Sequence, residues 1–286
     1  MSNLSDNFAI LVNSTDSFDY CWEPFFKLFD KYWPDCKLPI YLNTETKNFS
    51  YQNLDIKCTK VAEKYTGNGK PPWGWCLIEC LKSIDADVIL YLQEDYFLND
   101  YVDIEQLEDF VGIIKNRKWS SQDCSHIGLS FYGSHNPYHI TEFPLLWEID
   151  RYAKYRICLQ AGLWKKNTLL SYLKPNDTGW TFETLGSNRT RNDRLLTINR
   201  QIFNPEGRNI VPYEHTGIIK GRWNKKAVLN LFAENNISID YSIRGFTDDP
   251  IVKKPRKNTK TRVYNLKYRI LRKLNEDIET FRYHRL

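Results

Sequence analysis

The sequence predicts an α/β protein, a mostly parallel sheet flanked by helices, with a basic amphipathic helical tail behind it. Over the first hundred residues, short apolar runs rich in β-branched residues alternate with segments of three- and four-residue periodicity, in the order strand, helix, strand, strand, helix, strand. That alternation is what a parallel sheet with helical crossovers produces. Two of these strands end in polar or acidic residues, where open parallel sheets place their ligands. Charge is segregated as well: residues 253–286 hold 12 Lys or Arg against 3 Asp or Glu, whereas residues 1–252 hold 28 against 32, so the net +5 belongs to the tail.

The elements follow in order. "NFAILVN" (7–13) reads as a first strand ending in Asn13, Ser14, Thr15 and Asp16. "YCWEPFFKLFDKYWP" spaces Trp22, Phe25, Phe26 and Phe29 helically and is closed by Pro34. "LPIYLNT" is a second strand, and Asp55 to Cys58 a short third. The loop "KYTGNGKPPWGW" leads to a helix, "CLIECLKSI", and to the strand of "DVILYLQEDYFL". That strand runs straight into Glu94 and Asp95 between apolar flanks. Such acids are either a turn or cap, or a device at the lip of a ligand crevice that holds a divalent cation or orients a hydroxyl.

Composition bounds the function. With 286 residues, 42% hydrophobic and 15% aromatic, the chain buries a sizeable core and is not disordered. The start has no basic leader region, and no segment approaches the roughly 20 apolar residues that cross a bilayer, so a cytoplasmic protein is expected. The seven cysteines are odd in number and scattered, which disfavours a disulfide framework and a zinc ribbon. Pro137 between His135 and His139 excludes a helical HExxH zinc site there.

The order of "AILVNSTDS", a helix, "LPIYLNT", the Trp/Gly loop and "ADVILYLQEDYFL" resembles the nucleotide-binding half of GT-A-fold glycosyltransferases, whose DxD or xED-type motif ends the corresponding strand. "CWEPFFKLFDKYWPDCKLPIYLNTE" with "QEDYFL" is similar to uncharacterised glycosyltransferase-like proteins of bacterial surface polysaccharide synthesis. The resemblance covers roughly residues 7 to 225. It implies a GT-A-like domain over 1–252, with a nucleotide-binding half (1–100) and an acceptor and catalytic half (101–252), and sets apart 253–286 as linker and helix. Gln93 stands where the first Asp of a DxD would be.

The implied activity is transfer of a sugar from a nucleotide-sugar donor to a glycan or lipid-linked glycan. Asn13, Ser14, Thr15, Glu94 and Asp95 are the expected donor seat, with Arg189, Lys220 and Arg222 as cations for the diphosphate. The resemblance also implies that 155–173 helps form the acceptor side, where Gln160, Gly162 and Trp164 are sugar contacts or, for Trp164, core. Glu183, between Trp180 and Phe182, sits where burial raises a carboxyl's pKa and suits it to take a proton; it resembles the base of inverting GT-A enzymes. His215 matches the late histidine that completes a metal site, so Asp95 and His215 are the expected ligands of Mn²⁺ or Mg²⁺.

In the tail, Val263, Leu266, Ile270, Leu274, Ile278 and Phe281 share one helical face and the opposite face is basic. Such a helix docks on its own domain, lies on an anionic membrane surface at the inner face of the membrane, or, less favoured, binds nucleic acid. Two alternatives stay open: a glycosyltransferase that modifies nucleic acid through the tail, and a non-enzymatic carbohydrate- or partner-binding protein. A nucleotidyltransferase is disfavoured, because "NSTDSFD" is acidic where a basic, Gly-rich phosphate loop would follow the first strand.

Overall fold

The computed structural model describes residues 7–115, 123–133, 137–204 and 208–248. The described residues form one compact unit that runs through Thr247. The linker and amphipathic helix expected over 253–286 lie outside the described residues.

The first half is built as the sequence reads. β1 (Phe8–Asn13), α1 (Trp22–Tyr32), β2 (Ile40–Leu42), β3 (Ile56–Cys58), α2 (Trp73–Ser83) and β4 (Val88–Gln93) form a parallel sheet in the order β3-β2-β1-β4. β1 and β4 are buried on both faces and their residues alternate between two cores. Phe8, Ile10, Val12, Leu90 and Leu92 face one core, with the α1 aromatics Phe25, Phe26 and Phe29; Ala9, Leu11, Ile89 and Tyr91 face the other, with Cys76, Leu77, Cys80 and Leu81 of α2. None of the seven cysteines forms a disulfide.

α2 starts at Trp73, three residues before the expected Cys76. Pro72 presets the extended entry, and the Gly74 N–H finds the carbonyl of Asp177 at 2.9 Å. A Cβ on Gly74 would lie 2.3 Å from the Lys174 carbonyl oxygen, so only glycine permits this contact.

The second half departs from a mostly parallel sheet. After α3 (Ile104–Lys115) come β5 (Cys124–Gly128), β6 (Tyr138–Ile140), β7 (Leu146–Ile149), β8 (Gly162–Lys165), α4 (Lys166–Tyr172) and, past a helical segment over 179–189, β9 (Arg194–Ile198). The nine-stranded order is β3-β2-β1-β4-β8-β5-β9-β7-β6. β8 enters antiparallel between β4 and β5, β5 and β9 pair in parallel, and β7 and β6 close the edge antiparallel. The sheet is therefore mixed. A two-residue hairpin, β10 (Ile218–Ile219) with β11 (Arg222–Trp223), and α7 (Lys225–Glu234) follow. No helix among the described residues is long and apolar enough to cross a membrane.

Arg156, 1% exposed, fixes the end of the 179–189 segment. Its guanidinium donates to the carbonyls of Asp150 (3.1 Å), Thr190 and Asp193 (2.7 Å) and to the Thr190 hydroxyl (2.7 Å). Arg156→Leu strands these acceptors at about 1–3 kcal/mol each; the expected outcome is a clear fall in thermal midpoint, read by circular dichroism.

Candidate functional site

The C-terminal ends of β1 and β4 lie side by side, Asn13 opposite Gln93. Beyond them opens a crevice of about 400 Å³ lined by Asn13, Ser14, Thr15, Phe18, Trp73, Gln93, Glu94, Asp95 and the hairpin residues Thr216, Ile218, Lys220 and Gly221. The strand thus delivers its two acids to a ligand-sized cavity at the carboxyl edge of the sheet.

Each wall is fixed by a hydrogen bond. The Asn13 amide donates to the Tyr91 hydroxyl at 3.1 Å and accepts from Asn43 at 2.9 Å. The Ser14 hydroxyl accepts from the Trp22 indole at 2.8 Å, and Thr15 caps the short 3-10 helix of Asp16–Cys21. Asp16 turns away from the crevice and accepts from the backbone of Glu45 (2.8 Å), Thr46 (2.9 Å) and Lys47 (3.2 Å) and from the Thr46 hydroxyl (2.7 Å). Burial alone would raise its pKa, but these donors together hold it below the ordinary value.

Asp95, 7% exposed, accepts from the Thr216 hydroxyl and from Ile218 N–H at 3.1 Å, while its carbonyl accepts from Gly217 N–H at 2.8 Å. It anchors the hairpin to the end of β4. Lys220 and Gly221 turn the hairpin with φ of 52° and 78°, the positive pair of a type I′ turn. Burial is the main cause that raises the Asp95 carboxyl. Glu94, 8% exposed, is pushed well above the ordinary range by burial first and by the adjacent Asp95 second.

Glu183 flanks the same region. Its segment opens with a capping box at Thr178 (α5, Gly179–Thr181), passes through a π turn (Phe182–Gly186) and ends in α6 (Ser187–Arg189). Phe182 packs on Trp73, a crevice wall, with ring centroids 6.0 Å apart. One Glu183 oxygen accepts from Leu159 N–H at 2.8 Å, and burial raises the carboxyl pKa, opposed by that bond. Glu94 and Glu183 both act on the buried Tyr91 phenol, whose ionisation burial chiefly disfavours.

Several expected residues lie elsewhere, each for a physical reason. Arg189 is paired bidentately with Asp177 (2.6 and 3.1 Å), both side chains 6% exposed, and braces the loop under α2 rather than the crevice. Arg222 donates to the Phe246 carbonyl at 3.2 Å and does not line the cavity. Trp164, 2% exposed, stacks on His126 at 3.9 Å and is core. Gly162 is buried in β8, where a Cβ would lie 2.6 Å from the His126 ring. The amide of Gln160 is held between Tyr96 (3.1 Å) and Tyr213 (2.9 Å).

His215 is exposed and sets its ring against Tyr132 at 4.6 Å; it does not line the crevice, but it stands within electrostatic reach of Asp95, whose carboxyl pKa it lowers. Among the described residues no three His, Cys, Asp or Glu side chains come together as a metal centre. The donor set at the crevice is two adjacent carboxylates, which suits a hard cation that takes its remaining ligands from phosphate and water. Phe18, Trp73, Thr216 and Ile218 line the crevice without having been singled out from the sequence, and nothing local tied the segment around Lys220 to Asp95.

The chain matches no family model and no curated protein sequence. Among solved structures it is similar to S. aureus TarS 1–349 in complex with UDP-GlcNAc, at 15% identity over 67% of this chain and 55% of that one, with a TM-score of 0.42. TarS 1–349 without that ligand gives 15% identity and 0.41 over 67% and 57%, and S. aureus TarS gives 14% and 0.38 over 67% and 35%. The chain thus spans little more than half the length of the TarS 1–349 structures.

A Cβ on Gly217 would fall 2.1 Å from the Phe97 ring. Gly217→Ala is expected to cost about 1–3 kcal/mol through overpacking and to free the hairpin from Asp95, seen as a lowered thermal midpoint with faster amide exchange at 216–221. Because the native Glu94 pKa exceeds 4.5, the folded state holds its proton longer than the unfolded chain, and stability declines as pH rises through that window. Glu94→Gln removes this contribution: its stability relative to wild type should be greater at neutral pH than in acid, measured by denaturant titration across pH.

Proposed function

We propose that the protein is a glycosyltransferase that moves a sugar from a nucleoside diphosphate donor to a glycan or lipid-linked glycan of surface polysaccharide synthesis. One observation carries this reading: the polar ends of β1 and β4, two buried acids and the Lys220 hairpin converge on one cavity beside Glu183. The nucleoside lies over Asn13, Ser14 and Thr15 between Phe18 and Trp73, and the diphosphate meets Lys220 by a charge-assisted contact. Asp95 and the adjacent Glu94, with His215 within electrostatic reach, are the residues that would hold Mg²⁺ or Mn²⁺. Such an ion supplies neutralisation of the diphosphate charge.

Chemistry is a single displacement. The acceptor hydroxyl gives its proton to the Glu183 carboxylate as its oxygen forms a bond to the anomeric carbon. The bond from that carbon to the diphosphate breaks, its electron pair leaves with the diphosphate, and the configuration inverts. Partial burial keeps Glu183 more basic than a solvated glutamate.

A panel of nucleoside diphosphates and nucleotide sugars, with and without Mn²⁺, tests the reading by thermal shift and product analysis. One nucleotide class should stabilise the fold by about 2.7 kcal/mol at a hundredfold excess over its dissociation constant. Lys220→Ala should weaken donor affinity about tenfold or more, the worth of a hydrogen bond to a charged group. Glu183→Gln should lower kcat by about 10²–10⁴ with donor binding intact. The acid limb of the wild-type rate profile should lie above pH 4.5, since the raised carboxyl must lose its proton to act. Absence of any nucleotide-dependent shift in folded protein would move the assignment to a carbohydrate- or partner-binding protein.

A further inference from the structure

The residue that follows Asp95, Tyr96, is 4% exposed and stacked on Tyr213, 7% exposed, with ring centroids 4.6 Å apart and planes 11° from parallel. Their hydroxyls are hydrogen-bonded to one short segment, Leu159 to Ala161. Ala161 N–H donates to the Tyr213 hydroxyl at 3.1 Å, and that hydroxyl donates to the Gln160 side-chain oxygen at 2.9 Å. The Gln160 side-chain nitrogen donates to the Tyr96 hydroxyl at 3.1 Å, which donates to the Leu159 carbonyl at 2.7 Å. Leu159 N–H then donates to Glu183 at 2.8 Å. From Ala161 N–H to the Leu159 carbonyl every donor points the same way, so these bonds polarise one another; the Leu159 N–H belongs to the preceding peptide unit and is joined to them only through the fixed backbone. Leu159 is thereby gripped on its carbonyl from the end of β4 and grips Glu183 with its N–H.

We propose that Tyr96 and Tyr213, acting through Gln160 and the backbone of Leu159, are positioning residues that hold the Glu183 carboxylate at the crevice. This rests on the reading of Glu183 as the base. The stacked rings already fill their site, and the hydroxyls add a fixed path between the acidic end of β4 and the Glu183 segment, which otherwise meets the crevice through Phe182 and Trp73. A shift of the order of an ångström in a reacting group costs up to about a hundredfold in rate, so the five hydrogen bonds of this run set the rate without touching the donor.

Tyr96→Phe and Tyr213→Phe keep the ring pair and delete the hydroxyls. Each is expected to lower kcat about tenfold with the donor KM and the nucleotide-induced thermal shift unchanged. The Leu159 N–H bond lowers the Glu183 pKa, so loosening it should move the acid limb of the rate profile to higher pH. The same shift should appear in the Glu183 carboxyl titration followed by isotope-edited NMR, a readout that needs no turnover. Among the described residues, Leu159 N–H bonds this carboxylate and the Tyr91 phenol stands near it, and both are retained in the variants.

Unchanged rate and unchanged Glu183 titration in both folded variants would overturn the positioning role while leaving the transferase reading in place. A wild type that binds no nucleotide and is indifferent to Glu183→Gln would overturn the transferase reading instead, and the NMR titration still decides whether the tyrosines hold Glu183. Should Tyr96→Phe fail to fold, Tyr213→Phe alone decides.

Discussion

The carboxylate of Asp95 is the interaction on which the crevice depends. Placing a carboxylate at 7% exposure is costly unless donors surround it, and here the Thr216 hydroxyl and the Ile218 N–H do so. Those donors come from a segment more than a hundred residues downstream, so the need to satisfy one charge brings the late hairpin to the end of β4. The hairpin arrives with Lys220 at its tip, opposite the two acids. The same few residues of β4 reach, through Tyr96, to Leu159 and Glu183.

Rigidity comes from the strands behind. β1 and β4 are covered on both faces by separate apolar cores, so their carboxyl ends are fixed and the polar residues there stand on a stiff platform. Tyr91 illustrates the coupling: it faces one core, yet its hydroxyl meets Asn13 and Gln93 at the crevice floor. Close approaches elsewhere need glycine. Gly74 lets the first turn of α2 rest on the loop before the Glu183 segment, and Gly217 lets the hairpin strand lie against Phe97. These contacts set the width of a cavity whose chemistry is otherwise carried by short side chains and one lysine.

The legible part of the site was the part that is local. Asn13 to Thr15 and Glu94 with Asp95 terminate strands whose apolar patterning is unmistakable, and the edge they share follows from parallel pairing of β1 with β4. The partial burial of Glu183 was legible from its aromatic neighbours, since Phe182 is buried beside it. Arg189 and Arg222 were not, because a cation's partner is chosen across space: Asp177 claims the first and the Phe246 carbonyl the second. Trp164 and Gly162 carry the same ambiguity in apolar form. An aromatic beside a glycine reads equally as a sugar platform or as a strand interior, and the insertion of β8 between β4 and β5 makes it the latter.

The sequence by itself determined the α/β class, the parallel first half, the position of the acids at a strand end and the segregation of basic charge beyond residue 252, because periodicity and composition act over a few residues at a time. Tertiary structure decided the antiparallel entry of β8, which makes the sheet mixed, the docking of the hairpin on Asp95 and the pairing of Arg189 with Asp177. Each of these depends on which distant groups satisfy one another's hydrogen bonds and volume once water is excluded, and no local pattern encodes that choice.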